Sequence, residues 1–190
     1  MTSPLADGSL RKYMTSPLAV GSLRGTMRAL DGAALVIALV FAAGAAQAQL
    51  ATKLPTTEVG IGGESFTLEV AREPATQFRG LGGRTHLDPH GGMLFVFPFP
   101  RATSFVMRDC PIAIDVAFLD PSGRVIAVHE MTPEPPRGAD ESEMAYESRL
   151  KQYPSGLPAM FAIETAGGRF HQLGVKGGDL IEIDAASLGR

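Results

Sequence analysis

Five charges sit inside apolar or glycine-rich runs, where a charge needs a reason. Arg79 and Arg84 bracket the run RGLGGR, and Arg108, Asp109 and Asp115 punctuate FVMRDCPIAID. A guanidinium binds a carboxylate or phosphate through two parallel hydrogen bonds, so Arg79 and Arg108 at a cleft could grip an anionic ligand. In the alternative reading Asp115 pairs with one of these arginines and ties the expected helix, Ala71–Leu81, to the sheet, with no ligand involved.

Sulfur and imidazole groups offer other chemistry. His129 and Met131 are two residues apart on an expected strand and therefore share a face. With Met93, Met107 and Cys110 they form a set of soft ligands suited to copper(I). Methionine also fills irregular cores, and no Met-rich run or CxxC accompanies the set. Cys110 is the single cysteine. A neighbouring Arg108 would lower its thiol pKa, and His129 or His171 could serve as its base in a hydrolase-like enzyme. No GxSxG, P-loop or HExxH motif is present, so the catalytic reading rests on that thiol alone. His86-Leu87-Asp88-Pro89-His90 reads HxDxH across a loop, a zinc pattern that lacks a fourth ligand. The acids Asp140, Glu141, Glu143 and Glu147 match no EF-hand spacing. No cofactor is implied.

The elements that must position these groups begin with the stretch Gly91–Asp120. It holds the apolar runs Met93–Phe97, Ala102–Met107 and Ile112–Leu119, each bounded by Pro, Gly, Arg or Asp and of strand length. Upstream, Thr56–Ile61 and Glu64–Val70 flank Gly62-Gly63, a two-residue hairpin signal. In the second arm Phe66, Leu68 and Val70 alternate with Ser65, Thr67 and Glu69, as in a strand with one buried face. Ala71–Leu81 reads as a helix, with Pro74 near its start and glycines at its end.

Downstream, Asp120-Pro121-Ser122-Gly123 is a turn leading into the strand Arg124–Met131. Thr132–Gly156 is a long Pro-rich and acidic loop with a helical turn near 141–150, of the kind that often covers a site. Met160–Thr165 and Phe170–Leu173 read as a hairpin, and Leu180–Ile183 as a last strand. The fold class that follows is mainly β: a compact sandwich or partly closed barrel of about eight or nine short strands with one short helix.

Residues 1–48 read as a leader. MTSPLADGSLR (1–11) and MTSPLAVGSLR (14–24) are near-duplicates, and one repeat cannot build a solenoid. Arg28, the apolar run 32–46 and Ala46-Gln47-Ala48 follow in the order of a secretory signal, with cleavage near Ala48-Gln49. The apolar run is short for a spanning helix, which needs ~20 residues, so no stable membrane span is expected after cleavage. Export to the periplasm or medium is the expectation. Residues 49–63 then form a linker and first strand, 64–184 a single β domain, and 185–190 a tail. Residues 49–190 carry 13 basic and 18 acidic side chains, a net charge of −5, with no basic patch for nucleic acid. One cysteine permits no internal disulfide.

The ordered set RGLGGR, GGMLFVF, FVMRDCPIAIDVAFLD, AMFAIETAGG and LGVKGGDLIEI resembles the domain-of-unknown-function family 192, over Glu64–Ile183. The resemblance implies a compact mainly-β domain, often exported, with no established activity or cofactor. The chain departs from that pattern at Gly82, where the family usually carries Met, and at Val106, where it usually carries Trp. If those side chains line a shared pocket, the pocket here is emptier. The family commonly carries a small or β-branched residue at Cys110, which speaks against an essential thiol. The resulting expectation is a non-enzymatic binding or accessory module for a small molecule, a peptide or an envelope protein. Its cleft would lie between Arg79–Arg84 and Phe105–Asp115, with Arg79, Arg84, Met93, Met107, Arg108 and Asp115 as candidate ligand-binding residues. A copper site of Met93, Met107, His129 and Met131 is the alternative.

Overall fold

The computed structural model describes residues 53–184 and Leu188. The duplicated leader, the signal segment and its cleavage site, and the tail apart from Leu188 lie outside the described residues.

β1 (Thr56–Ile61) and β2 (Glu64–Ala71) form the antiparallel hairpin that Gly62-Gly63 signals, with both glycines at positive φ. Phe66, Leu68 and Val70 are buried, as the alternation requires. The chain then crosses through α1 (Pro74–Arg79) into β3 (Gly91–Arg101), which lies parallel to β2. A parallel pair needs such a crossover, because a tight turn can only reverse the chain. The helix is shorter than the expected 71–81. Pro74 starts it at a first-turn position, and Gly80 stops it with φ +52°.

β4 (Ser104–Phe105) is all that forms of the expected strand 102–107, and it pairs with β7 (Tyr153–Pro154) as a separate two-stranded sheet. β5 (Ile114–Leu119), β6 (Val125–Met131) and β8 (Ala159–Ala166) complete the main sheet, whose order is β1-β2-β3-β8-β5-β6. Its outer strands β1 and β6 remain unjoined, so the sheet is open rather than a closed barrel. The mainly-β class and eight strands match the expectation.

Both faces of this sheet are covered, which explains the near-continuous apolar runs of β3 and β5. On one face Leu94, Val96, Ala117, Leu119, Phe161 and Ile163 pack with Phe66, Leu68 and Phe170. On the other, Met93, Phe95, Phe97, Val116, Phe118 and Ala162 pack with Leu81, Met107, Cys110 and Tyr153. β3 and β8 approach closely at Gly92, where a Cβ would lie 2.1 Å from the Glu164 carbonyl oxygen.

Two expected strands do not form. The segment after Gly168 is helix α3 (Arg169–Gln172) instead of a hairpin arm, because the Asp115 carboxylate accepts the Gly168 and Phe170 N–H groups at 2.9 and 2.8 Å. Leu180–Ile183 makes one bridge, Leu180 to Arg124. There the chain pairs with the 123–125 turn rather than with a strand: Ile181 N–H donates to Gly123 and Val125 N–H to Asp179. A third helix, α2 (Glu143–Arg149), occupies the region where one helical turn was expected. Ser142 caps it by accepting from Ala145 N–H at 3.2 Å, and Arg149 sits in its last turn. The three short helices among the described residues exceed the single one expected. Among the described residues no helix is long and apolar enough to cross a membrane.

Candidate functional site

The second of the two faces is incompletely covered. A cleft of about 450 Å³ opens between α1 with the 80–82 segment, the end of β3, and the 103–110 segment, with Glu147 and Gln152 closing one side. The expected cleft between Arg79–Arg84 and Phe105–Asp115 is therefore present in outline, and the 132–156 loop contributes to its wall. Phe95, Phe97, Phe105 and Met107 supply apolar lining. Gly82 and Val106, the two positions at which the sequence departs from the resemblance, both line it. A Cβ on Gly82 would meet the Arg79 and Arg108 carbonyl oxygens at 2.9 and 3.1 Å, so a larger side chain requires a backbone shift.

The predicted site residues are distributed unevenly about this cleft. Arg79 is exposed at its mouth and makes no side-chain hydrogen bond or ion pair with the described residues. Arg108 also lines it, but its guanidinium is occupied. It forms a bidentate pair with Glu147, stacks on Phe78 at 4.0 Å and donates to the Phe78 carbonyl. Beside it, Asp109 has φ +49°, and its N–H donates to the Tyr146 hydroxyl at 2.9 Å. These two contacts dock α2 onto the cleft wall. Arg84 faces away, bound bidentately to Glu69 at 2.8 and 2.6 Å. Asp115 lies on the opposite face of the sheet and pairs with no arginine among the described residues; the backbone of α3 takes that place. Burial raises its pKa while the Gly168, Phe170 and Arg169 N–H groups oppose the rise. Asp115 thus has a structural role, but it holds α3 through backbone N–H groups and does not tie the 71–81 helix to the sheet through an arginine.

Met93, Met107, Met131 and Cys110 all belong to the buried cluster beneath the cleft. Met107 reaches its lining, whereas Met93 is packed beneath. His129 shares the face of Met131, as the strand period predicts. Its Nε2 lies 2.8 Å from the Pro154 carbonyl, and its ring packs against Phe118 and Tyr153. Among the described residues no group of three His, Cys, Asp or Glu side chains is arranged to hold a metal. In the HxDxH stretch, Asp88 accepts from the His90 N–H and His90 Nε2 pairs with Glu64.

The Cys110 thiol is not activated. Burial and the nearby Glu164 push its pKa up to about 11, and its Sγ lies 3.7 Å from the Ile112 carbonyl. Arg108, expected to lower it, is neutralised by Glu147.

Sequence reasoning missed Glu164. It sits in the central strand β8, opposite Met93 on β3 and Val116 on β5, and in register with Ala162 on the cleft face. It is 6% exposed, yet it lines the cleft. Its Oε2 has no hydrogen-bond partner among the described residues. Burial raises its pKa to about 8, against the opposing effects of the Leu81 N–H and Arg84. The signal was available: an acid in the apolar strand run AMFAIET, on a face that must be filled. An apolar side chain would pack there at less cost, which marks the position as a functional candidate.

The chain belongs to the domain-of-unknown-function family 192 (uncharacterized ACR), whose model matches residues 57–183. Among solved structures it is similar to a protein of unknown function from Novosphingobium aromaticivorans, at 28% identity and a TM-score of 0.59, covering 70% of this chain and 89% of that one. It is also similar to a protein from Sinorhizobium meliloti described as a "putative transcription regulator", at 25% identity and a TM-score of 0.54, covering 66% and 89%. No curated protein matches the chain.

Proposed function

We propose that this protein is an exported, non-enzymatic binding module whose site is the cleft between α1 and the 103–110 segment. The observation that carries the reading is the cleft itself: apolar walls beneath an exposed Arg79 that has no partner among the described residues. Its occupant is a small molecule or short peptide, with an apolar body against the phenylalanines and an anionic group on the Arg79 guanidinium. Arg108 shapes the wall rather than supplying a free charge. A nucleic-acid partner does not suit a chain of net charge −3.

Thermal shift with a panel of small carboxylates, phosphates and peptides tests this reading. A ligand at a hundred times its Kd adds ~2.7 kcal/mol to stability, a shift of several degrees in a domain of this size. Arg79→Ala should keep the unliganded midpoint and abolish the shift. Carboxylate or phosphate shifts that survive Arg79→Ala would remove Arg79 as the anion-binding group of the cleft. N-terminal sequencing of the protein recovered from cell fractions tests export, with Gln49 the expected first residue.

The soft-metal alternative has one observation in its favour, the gathering of Met93, Met107 and Met131 in a single cluster. Uptake of copper(I) in competition with a chelator would support it, and no uptake would end it.

A further inference from the structure

We propose that Glu164 is the recognition group at the floor of the cleft for a primary ammonium carried on an apolar body, an inference that rests on reading the cleft as a ligand site. The geometry is that of an unfilled half of a pair. One carboxyl oxygen, Oε2, is buried without a partner among the described residues, on a side chain that lines the cleft. The approach to it is left open by Gly80, where a Cβ would stand 3.3 Å from Oε2 and 3.5 Å from the Phe95 ring. With φ at +52°, that position also disfavours any side chain.

The surroundings favour a cation. Phe95 lies beside the opening and meets Phe105 edge-on at 4.8 Å, so aromatic rings, whose faces attract positive charge, flank the path. Among the described residues no cation fills the place. Arg84 acts on Glu164 only at a distance, because its guanidinium is held by Glu69. Combined with Arg79 at the mouth, the cleft suits an amino-acid-like ligand, amine inward and anion outward.

Proton bookkeeping makes the inference testable. With the cleft empty and the pH below about 8, Glu164 is protonated. An arriving ammonium keeps its own protons, the carboxyl gives up one to solvent, and the ion pair forms. Affinity then rises up to tenfold per pH unit until about pH 8 and levels off. The other charged or titratable groups facing Glu164 or the cleft are Arg84, Cys110, Arg79, Arg101, Arg108 and Glu147. Of these, the Cys110 thiol titrates near 11, and Arg108 holds the Glu147 carboxyl below its ordinary value, so neither competes in this range. A protonated Glu164 donating to a neutral acceptor would behave oppositely, with affinity flat below pH 8 and falling above it.

The test is calorimetric titration of the full chain with phenethylamine and with 3-phenylpropionate at pH 6, 7 and 8, in buffers of differing ionisation enthalpy. Phenethylamine should bind with about one proton released at pH 6 and an affinity roughly tenfold higher at pH 7. Glu164→Gln should weaken it at least tenfold. Binding of 3-phenylpropionate should be weakened at least tenfold by Arg79→Ala. Phenethylamine binding without proton release, or unaffected by Glu164→Gln, overturns the inference. So does failure to bind while 3-phenylpropionate binds, and that result leaves the cleft reading standing. Failure of both probes overturns the two together. The proton-release measurement needs only wild-type protein and decides even if Glu164→Gln does not fold.

Discussion

Burial disfavours the ionised carboxylate at Glu164 more than the Leu81 N–H and the distant Arg84 favour it, so the fold holds the proton on it. The consequence for stability follows from linkage. The folded-state pKa, about 8, stands above the unfolded value near 4.5, so between these limits the native state binds the extra proton. Stability from this group is therefore fully present below the unfolded value and is lost as pH rises through about 8, at a slope of at most ~1.4 kcal/mol per pH unit. Glu147, lowered by Arg108, and Asp120, lowered by Ser122, have the opposite sign, and their contribution is lost only as pH falls through the acidic range. Urea-unfolding midpoints should accordingly decline from pH 5 to pH 8 in the wild type. Glu164→Gln should flatten that decline and exceed the wild type at pH 8. A wild-type profile already flat over this interval would show that the carboxyl is solvated.

At the scale of elements, two docking devices hold the short helices, none of which has enough turns to be stable alone. Asp115 anchors α3 from beneath by accepting two N–H groups in a buried site. Asp115→Ala leaves both donors unsatisfied and should cost ~2–4 kcal/mol, with faster hydrogen exchange at Gly168 and Phe170. A loss under ~1 kcal/mol would show that the turn forms without this carboxylate. The second device joins α2 to the cleft wall through Arg108–Glu147 and Asp109–Tyr146. Because the ion pair is partly exposed, Arg108→Ala should cost only ~1 kcal/mol, while raising exchange across Glu143–Arg149. An unchanged exchange pattern would mean that Tyr146 alone seats the helix.

For the molecule as a whole, one mixed sheet buried on both faces separates a closed side, sealed by α3 and the 173–183 segment, from a side left open at the cleft. Every strand among the described residues belongs to one compact unit, Ala51–Arg190. A unit of this size buries about two thirds of its unfolded surface and should fold alone. Residues 51–190, expressed by themselves, should unfold in one cooperative step with the midpoint of the full chain, read by circular dichroism in urea. A midpoint markedly lower would give the first fifty residues a structural role.

Local pattern by itself determined β1, β2, β3, β5, β6 and β8, the β1–β2 hairpin and the mainly-β class. Alternation in Phe66–Val70, the glycines at 62 and 63 and the strand-length runs of β3 and β5 are imposed by near neighbours, and near neighbours are what a sequence displays. The outline of the cleft was also legible, because the charges in RGLGGR and FVMRDC stand out against their runs. What those charges do was decided by partners far along the chain: Glu147 for Arg108, Glu69 for Arg84, and the backbone at 168 and 170 for Asp115. Tertiary structure also made β2 and β3 parallel and turned 169–172 into a helix, against the expected hairpin arm. It alone singled out Glu164. In the sequence that residue is one acid in a strand; its significance arises because β3 and β5 flank it, the Leu81 N–H donates to it, Cys110 lies near it, and no cation among the described residues pairs with its Oε2. Burial and the absence of a partner are properties of three-dimensional neighbourhoods, so only the fold could reveal them.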